Sequence, residues 1–491
     1  MVQWDLILIA IIYMVGLTVG VGWYMRRKDR GKTTNSFLFA DKSLTPLLGG
    51  ASVAMCAVGA LHTTGLMETG MTAGLVVGVW LAVMSAVSFA LECCFFVPFF
   101  RKMNIVTVPG TMGALFKEKN KLLFSCTNIL VMFLILAIET QGGGILISAM
   151  TGIDMWVSIV IFMILCVLYV MIAGMHQVAT LNLVNAIIMY VVIVIAFIIV
   201  GGKLPNGWSG VEAFYVSTGE VIKLSMFPDS IGGWLALPIP LIIACIMMNP
   251  MDQGKMSYYL SAKDNRTSYK MGFIGAAFNA PFGMFPLVLG LAAGSIALYA
   301  GMGEKVGTLH LLIDNTPNLL VGLVLAAFLA IVISTWGRFT LGIAQIVTAD
   351  FYIRFTKKHE QKKELRISRA AIIIAGLLAL IPAFAMPSMI MEFLFICSLI
   401  APTFFCLLLG LFWRRNSNAA FITVIVAIVS SCIWHYGNIG PAIGFPFWWV
   451  AMYTAVIVTI VLYVVLTLAL PDSKPSYVSE MKAKEQASKS A

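Results

Sequence analysis

The chain is 491 residues long, 60% hydrophobic and only 11% charged. Soluble domains carry about 25% charged residues, so these proportions exclude a water-soluble core and make lipid the solvent for most of the chain. The formal charge of +10 would suit a nucleic-acid partner, but the placement of the charges, taken up below, excludes that reading too.

Apolar runs of about 20 residues read as spanning helices, because each must cross roughly 30 Å of hydrocarbon. In chain order they predict about thirteen: 4–25, 45–71, 74–100, 121–149, 153–174, 177–202, 232–261, 268–300, 317–354, 368–386, 389–413, 418–437 and 446–470. The first, Trp4 to Met25, is too long for a signal-peptide core and lacks a small-residue cleavage site, which predicts a retained helix. The shortest turns fall at Gly70 to Leu75 and Pro387 to Met389. All nine cysteines (Cys56, Cys93, Cys94, Cys126, Cys166, Cys245, Cys397, Cys406, Cys432) lie inside apolar runs without metal-ligand spacing. They read as small packing residues.

With the amino terminus outside, the cytoplasmic side collects the basic clusters Arg26 to Lys32, Lys42, Arg101 and Lys102, Lys117 to Lys121, Lys263 to Lys270, Arg354 to Arg369, Arg414 and Arg415, and the tail lysines. The outer loops keep only Lys203, Lys223 and Lys305. That asymmetry is what the positive-inside rule demands, so the basic balance reports orientation and not a nucleic-acid partner. An odd helix count places the carboxyl terminus inside. Two basic residues fall outside these sets. Lys255, near the inner end of the seventh helix, is expected to snorkel toward water. Arg338 lies in the middle of the ninth, where a guanidinium must face a protein interior or a water-filled cavity.

Membrane carriers bind solutes near the bilayer midplane, where interrupted helices free backbone groups to act as ligands. The second helix holds Gly49-Gly50-Ala51-Ser52, Gly59, His62-Thr63-Thr64-Gly65, Glu68 and Gly70, too many helix-weakening and polar positions for a plain lipid-facing span. The seventh carries Pro238 and Pro240, then Asn249-Pro250-Met251-Asp252-Gln253-Gly254. The two interrupted segments lie five helices apart. That offset predicts two five-helix repeats, helices two to six and seven to eleven, inverted because each repeat has an odd number of spans. The expected architecture is an all-α polytopic membrane protein with a five-plus-five inverted repeat and broken second and seventh helices. Residues 1–44 form an extra helix and loop, 45–414 the repeat core, 415–470 two further helices and 471–491 a tail. The ninth helix supplies Ser334-Thr335. Such hydroxyls either back-bond to the preceding turn or, with carbonyls of an unwound partner helix, form an all-oxygen cage suited to sodium.

Several pieces carry a resemblance: Phe37-Leu38-Phe39-Ala40-Asp41-Lys42-Ser43-Leu44, Gly50-Ala51-Ser52, Leu260-Ser261-Ala262-Lys263, and Ile333-Ser334-Thr335 through Thr348-Ala349-Asp350-Phe351-Tyr352. In this order and spacing, from Trp4 to about Phe412, the chain resembles the sodium:solute symporter family. The resemblance implies the leucine-transporter-type fold, secondary transport and no enzymatic activity or cofactor beyond Na+ as coupling ion. It places the main sodium site on the side chains of Ser334 and Thr335 and the carbonyls of Met55, Val58 and Ile331. Some members use an Asp on the sixth helix for a second sodium; here that position is Asn182, and the accompanying hydroxyl positions are Gly337 and Arg338. Arg338 is therefore expected to replace the second ion with a tethered cation. It could instead pair with a carboxylate such as Glu139, or contact an anionic substrate.

The expected cavity lies between the second, fourth, seventh and eleventh helices, with His62, Thr63, Glu139, Gln141, Cys245, Met248 and Asn249 as solute contacts. In the family alignment His62, Cys245 and Met248 stand where the sugar carriers have a Gln, an Asn and a gating Tyr. Too few polar groups remain for a ring of sugar hydroxyls, which disfavours a sugar. The usual Gln-Arg pair of the inner gate is Ser257-Tyr258 here. Glu92 and Glu392 are intramembrane acids without a partner visible in the sequence. The expectation is sodium-coupled symport of a small carboxylate or amino acid, by a monomer in a bacterial inner membrane. A proton-coupled carrier on the same fold, with Glu139 or Glu68 titrating, and a channel or membrane sensor are the rival readings.

Overall fold

The structure, a computed structural model, describes residues 4–27, 33–171, 174–357, 359–386, 389–437, 439–447 and 449–490. The predicted turn at 387–389 and the basic residues Lys28, Arg30 and Lys32 lie wholly or partly outside them. Among the described residues the one sheet is a two-residue antiparallel pair, Arg414–Arg415 with Lys474–Pro475.

Among the described residues ten helices are long and apolar enough to cross a membrane, eleven when the bent pair Pro46–Ala57 and Leu61–Thr72 counts as one span. The first and fifth predicted positions hold Trp4–Arg27, apolar over Val15–Met25, and the shorter Met155–Met171. The chain is thus a multi-pass membrane protein. The fourth helix begins at Glu118, three residues before its predicted start. The eighth ends at Gly294, short of the predicted 300, and is interrupted between Asn279 and Met284 around Pro281, which has no amide to donate.

In the ninth helix (Asn318–Thr356) and the eleventh (Met389–Phe412) 83% of the apolar window is buried, against 28% in the tenth (Gln361–Ala383). The first two therefore run through the middle of the bundle, and the tenth faces lipid.

Both predicted breaks are present. The second helix opens with Thr45 accepting from the Leu48 amide and Pro46 in the first turn, as helix starts favour. It stops at Ala57, Val58 is extended (φ −90°, ψ 90°), and the chain resumes through a π-helical turn, Leu61–Gly65, bent by 58°. In the seventh helix, Leu237 leaves helical geometry (φ −140°, ψ −56°) immediately before Pro238. Further on, Pro250 withholds an amide and Asp252 is extended (φ −78°, ψ 108°), its side chain capping the second half, Gln253–Leu260, through the Lys255 amide. That second half touches the ninth helix backbone to backbone. A Cβ on Gly254 would land on the Arg338 carbonyl oxygen, and one on Gly342 would press on the Gly254 backbone.

Candidate functional site

The break in the second helix frees carbonyls. The Ala60 amide, which would serve Cys56 in a continuous helix, instead donates to Glu139 Oε2 at 2.7 Å, and the His62 amide turns to the Gly59 carbonyl rather than Val58. A Cβ at Gly59 would land on the Glu139 carboxylate and displace it from the Ala60 amide. Gly142, one turn along the fourth helix, leaves room for the Ala60 methyl, on which a Cβ there would land.

The five oxygens expected at a sodium site converge beside this break. Thr335 Oγ1 donates toward the carbonyls of Met55 (3.3 Å), Val58 (3.2 Å) and Ile331 (3.4 Å), and Ser334 Oγ toward Met55 (3.3 Å) and Ile331 (2.8 Å). The Ser334–Ile331 contact is ordinary back-bonding to the preceding turn; the links to Met55 and Val58 cross between helices. Two hydroxyl protons serve three carbonyls over mostly long contacts, whereas a hard cation would engage all five oxygens at once. All five residues are buried. The donor set fits sodium.

A cavity of about 60 Å³ adjoins this cage, with Thr335 in its wall. His62, Glu139, Cys245, Met248 and Asn249 line it as expected. Thr63 and Gln141 do not: Thr63 Oγ1 donates back to the Gly59 carbonyl, and Gln141 Nε2 to the carbonyl of Met386. Residues not singled out as solute contacts complete the wall, among them Ser85, Asp252, Phe339 and Phe393. Asp252 stood in the broken segment quoted from the sequence, and a capping carboxylate next to a helix restart was the available signal.

Arg338 lines the cavity and pairs with Asp252, Nη1 to Oδ2 at 2.8 Å. Of the carboxylates it could meet, Glu139 is therefore not the partner. Asn182 and Arg338 have separate contacts, since Asn182 Nδ2 donates to Cys56 Sγ.

Lys255 corrects the sequence reading. It is fully buried and does not snorkel, with Nζ 2.8 Å from Glu92 Oε1, 2.8 Å from Asn249 Oδ1 and 3.5 Å from the centre of the Phe89 ring. Glu92, which looked partnerless, is thus one half of a buried ion pair, and Glu392 lies 3.8 Å from His435. Asn249, a cavity residue, is held by Lys255 on one atom and by Ser88 and the Cys245 carbonyl on the other.

Below the cavity, Gln253 Nε2 donates to Gln345 Oε1 and Ser257 Oγ, and Gln345 reaches the Leu38 carbonyl, so Ser257 does take part in the polar layer where the family's usual pair is missing. Asp350, in the same region, accepts from Thr107 and Ser125 and meets Lys121 at 3.0 Å.

The family model "Sodium:solute symporter family" matches residues 37–427. Among curated relatives, a sodium/glucose cotransporter of Vibrio parahaemolyticus is 24% identical, over 96% of this chain and 92% of its own. Sodium/glucose cotransporter 1 of sheep (Ovis aries) is 26% identical over 75% of this chain, which spans 61% of that protein's length. Among solved structures, the substrate-bound outward-open state of a Na+-coupled sialic acid symporter superposes with a TM-score of 0.80 at 17% identity, covering 96% of this chain and 99% of the other. MhsT in complex with L-phenylalanine gives 0.54 at 14%, covering 85% and 98%. At those identities the structures speak for the fold alone, which is the leucine-transporter type. With the family model covering most of its length, the chain belongs to the sodium:solute symporter family, a family of transporters and not of enzymes.

Proposed function

We propose that the protein carries a small organic solute, a carboxylate or amino acid rather than a sugar, by sodium-coupled symport with alternating access. The observation that supports this most directly is the meeting of the Ser334 and Thr335 hydroxyls with the Met55, Val58 and Ile331 carbonyls at the broken second helix. A sodium ion there would tie the ninth helix to the break. Thr335 belongs both to the cage and to the solute cavity, so each ligand biases the same junction, and a coupling free energy between two sites is reciprocal by linkage. A site made of carbonyls exposed by unwinding exists only while the two helices hold this relation. In the proposed orientation the amino terminus is outside, the basic loops are cytoplasmic and the membrane is a bacterial inner membrane, with the monomer as the working unit. Asn182 and Arg338 stand where a second ion would sit, leaving one sodium per cycle.

Uptake into proteoliposomes at fixed pH tests this reading. Uptake is expected to require sodium, with a Hill coefficient near one. Ser334→Ala and Thr335→Ala are each expected to raise the half-saturating sodium concentration about 10- to 100-fold, the worth of one lost contact to a charged partner. Uptake driven by a proton gradient alone, unaffected by either substitution, would replace this reading with proton coupling, for which the cavity carboxylate Glu139 supplies the candidate group. A Hill coefficient near two would remove the single-ion assignment.

A further inference from the structure

The charges around the cavity do not balance. Glu139, Asp252 and Arg338 line it, and Arg338 is taken by Asp252 at 2.8 Å. Glu139 is only 3% exposed, accepts one hydrogen bond, from the Ala60 amide, and among the described residues has no cation within ion-pair distance. A buried carboxylate answered by a single amide is costly to keep. The same wall holds two buried nitrogens without hydrogen-bond partners among the described residues, His62 Nε2 and Arg338 Nε. Ser85, Asn249 and Thr335 add polar groups to the lining, and most of the remainder is apolar, with Leu81, Ile135, Ile138, Met248, Phe339 and Phe393. The wall therefore offers one carboxylate without a counter-ion, with two unpartnered nitrogens buried in the wall of the same small chamber.

We propose that Glu139 anchors an ammonium group of the carried solute, which makes that solute a small zwitterionic amino acid, its carboxylate turned toward Arg338 and His62. This rests on the carrier reading above and narrows it from two solute classes to one. An ammonium supplies up to three donors to the open side of the Glu139 carboxylate and cancels its charge. A carboxylic acid lacking the amine would bring a second negative charge into the chamber and leave Glu139 unanswered. A sugar would bring hydroxyls but no cation, and would leave the Glu139 charge without a counter-ion. Specificity of this kind is steep because the mismatched ligand leaves buried polar groups unpaired. Glu139 also binds the amide two residues beyond Val58, whose carbonyl belongs to the sodium cage.

The test is a thermal-shift titration of the purified full chain, in NaCl and in matched KCl. The probes are the proteinogenic amino acids, desamino partners such as propionate for alanine and cyclopentanecarboxylate for proline, and glucose. At least one amino acid is expected to raise the unfolding midpoint in NaCl, its desamino partner and glucose leaving it unmoved. In Glu139→Gln the amide oxygen still accepts from Ala60, so stabilisation by sodium alone is expected to persist. Affinity for the amino acid is expected to fall at least about 30-fold, the lower range for truncating a buried charge pair. Stabilisation by a desamino acid or glucose as strong as by the amine, wild-type amine affinity in Glu139→Gln, loss of sodium stabilisation in that variant, or silence of every amino acid would each overturn the proposal. Equal stabilisation by an amino acid in KCl and NaCl would instead overturn sodium coupling and leave the Glu139 anchor standing.

Discussion

Lys255→Met is expected to cost about 3–5 kcal/mol of stability, because it removes one partner of a fully buried ion pair and leaves the other uncompensated. Among the described residues Lys255 Nζ is the one cation within ion-pair distance of Glu92, and Glu92 Oε2 has no hydrogen-bond partner of its own. The substitution also removes the hydrogen bond from a charged donor to the part-buried Asn249 Oδ1, worth about 1.5–3 kcal/mol. The yield of folded protein in detergent and its thermal midpoint should both fall. The double variant Lys255→Met/Glu92→Leu should recover most of the loss, since a buried pair replaced by apolar groups is often neutral or stabilising. It should not recover all of it, because the bond to Asn249 Oδ1 stays lost. A double variant no better than Lys255→Met would refute the uncompensated charge as the cause. The pair joins the third helix to the second half of the seventh and orients a cavity residue, so uptake by the recovered double variant would measure how much of its role is structural.

The second large effect is expected at Asp252, which does two jobs through different atoms. Oδ1 caps the restarted seventh helix at the Lys255 amide, and Oδ2 holds Arg338 in the ninth. Asp252→Asn keeps a good cap and removes the charge. It is expected to destabilise by about 1.5–3 kcal/mol, the range for a hydrogen bond to a charged group, and to reduce uptake sharply as the released guanidinium reaches into the chamber. Asp252→Ala loses the cap as well and should be worse by about another 1 kcal/mol. Uptake rates normalised to folded protein, with thermal midpoints alongside, separate the two contributions. Wild-type behaviour of Asp252→Asn in both measurements would leave the pair without a role.

The breaks were legible in the sequence because their causes are local. Gly59, Pro238 and Asn249-Pro250 weaken a helix wherever they occur, and the structure interrupts the chain beside each. That the Ser334 and Thr335 hydroxyls meet the Met55, Val58 and Ile331 carbonyls was legible through the family pattern. What was not legible is which side chains face each other across the bundle. Lys255 and Glu92 are 163 positions apart, and a lysine near a helix end reads as one that escapes to water until a carboxylate on another helix is placed against it. Helical rotation accounts for the solute contacts that miss the cavity. Residues two apart do not share a helix face, so with Glu139 turned inward Gln141 must point elsewhere, and it reaches Met386. Adjacent residues diverge by about 100°, which separates Thr63 from His62 in the same way.

The glycine seam between the seventh and ninth helices bears on how the carrier moves. Helices that mesh by interlocking side chains resist sliding, because each ridge must climb out of its groove. At Gly254 and Gly342 there are no ridges to climb. The relative position of these two elements is then set by a few discrete latches, Asp252 on Arg338 and Gln253 on Gln345, each of which is either made or broken. Such a joint behaves less like a spring than like a bolt on a smooth track. Sliding one element past the other would have to break those polar contacts, while at the glycine crossing no side chain stands in the way.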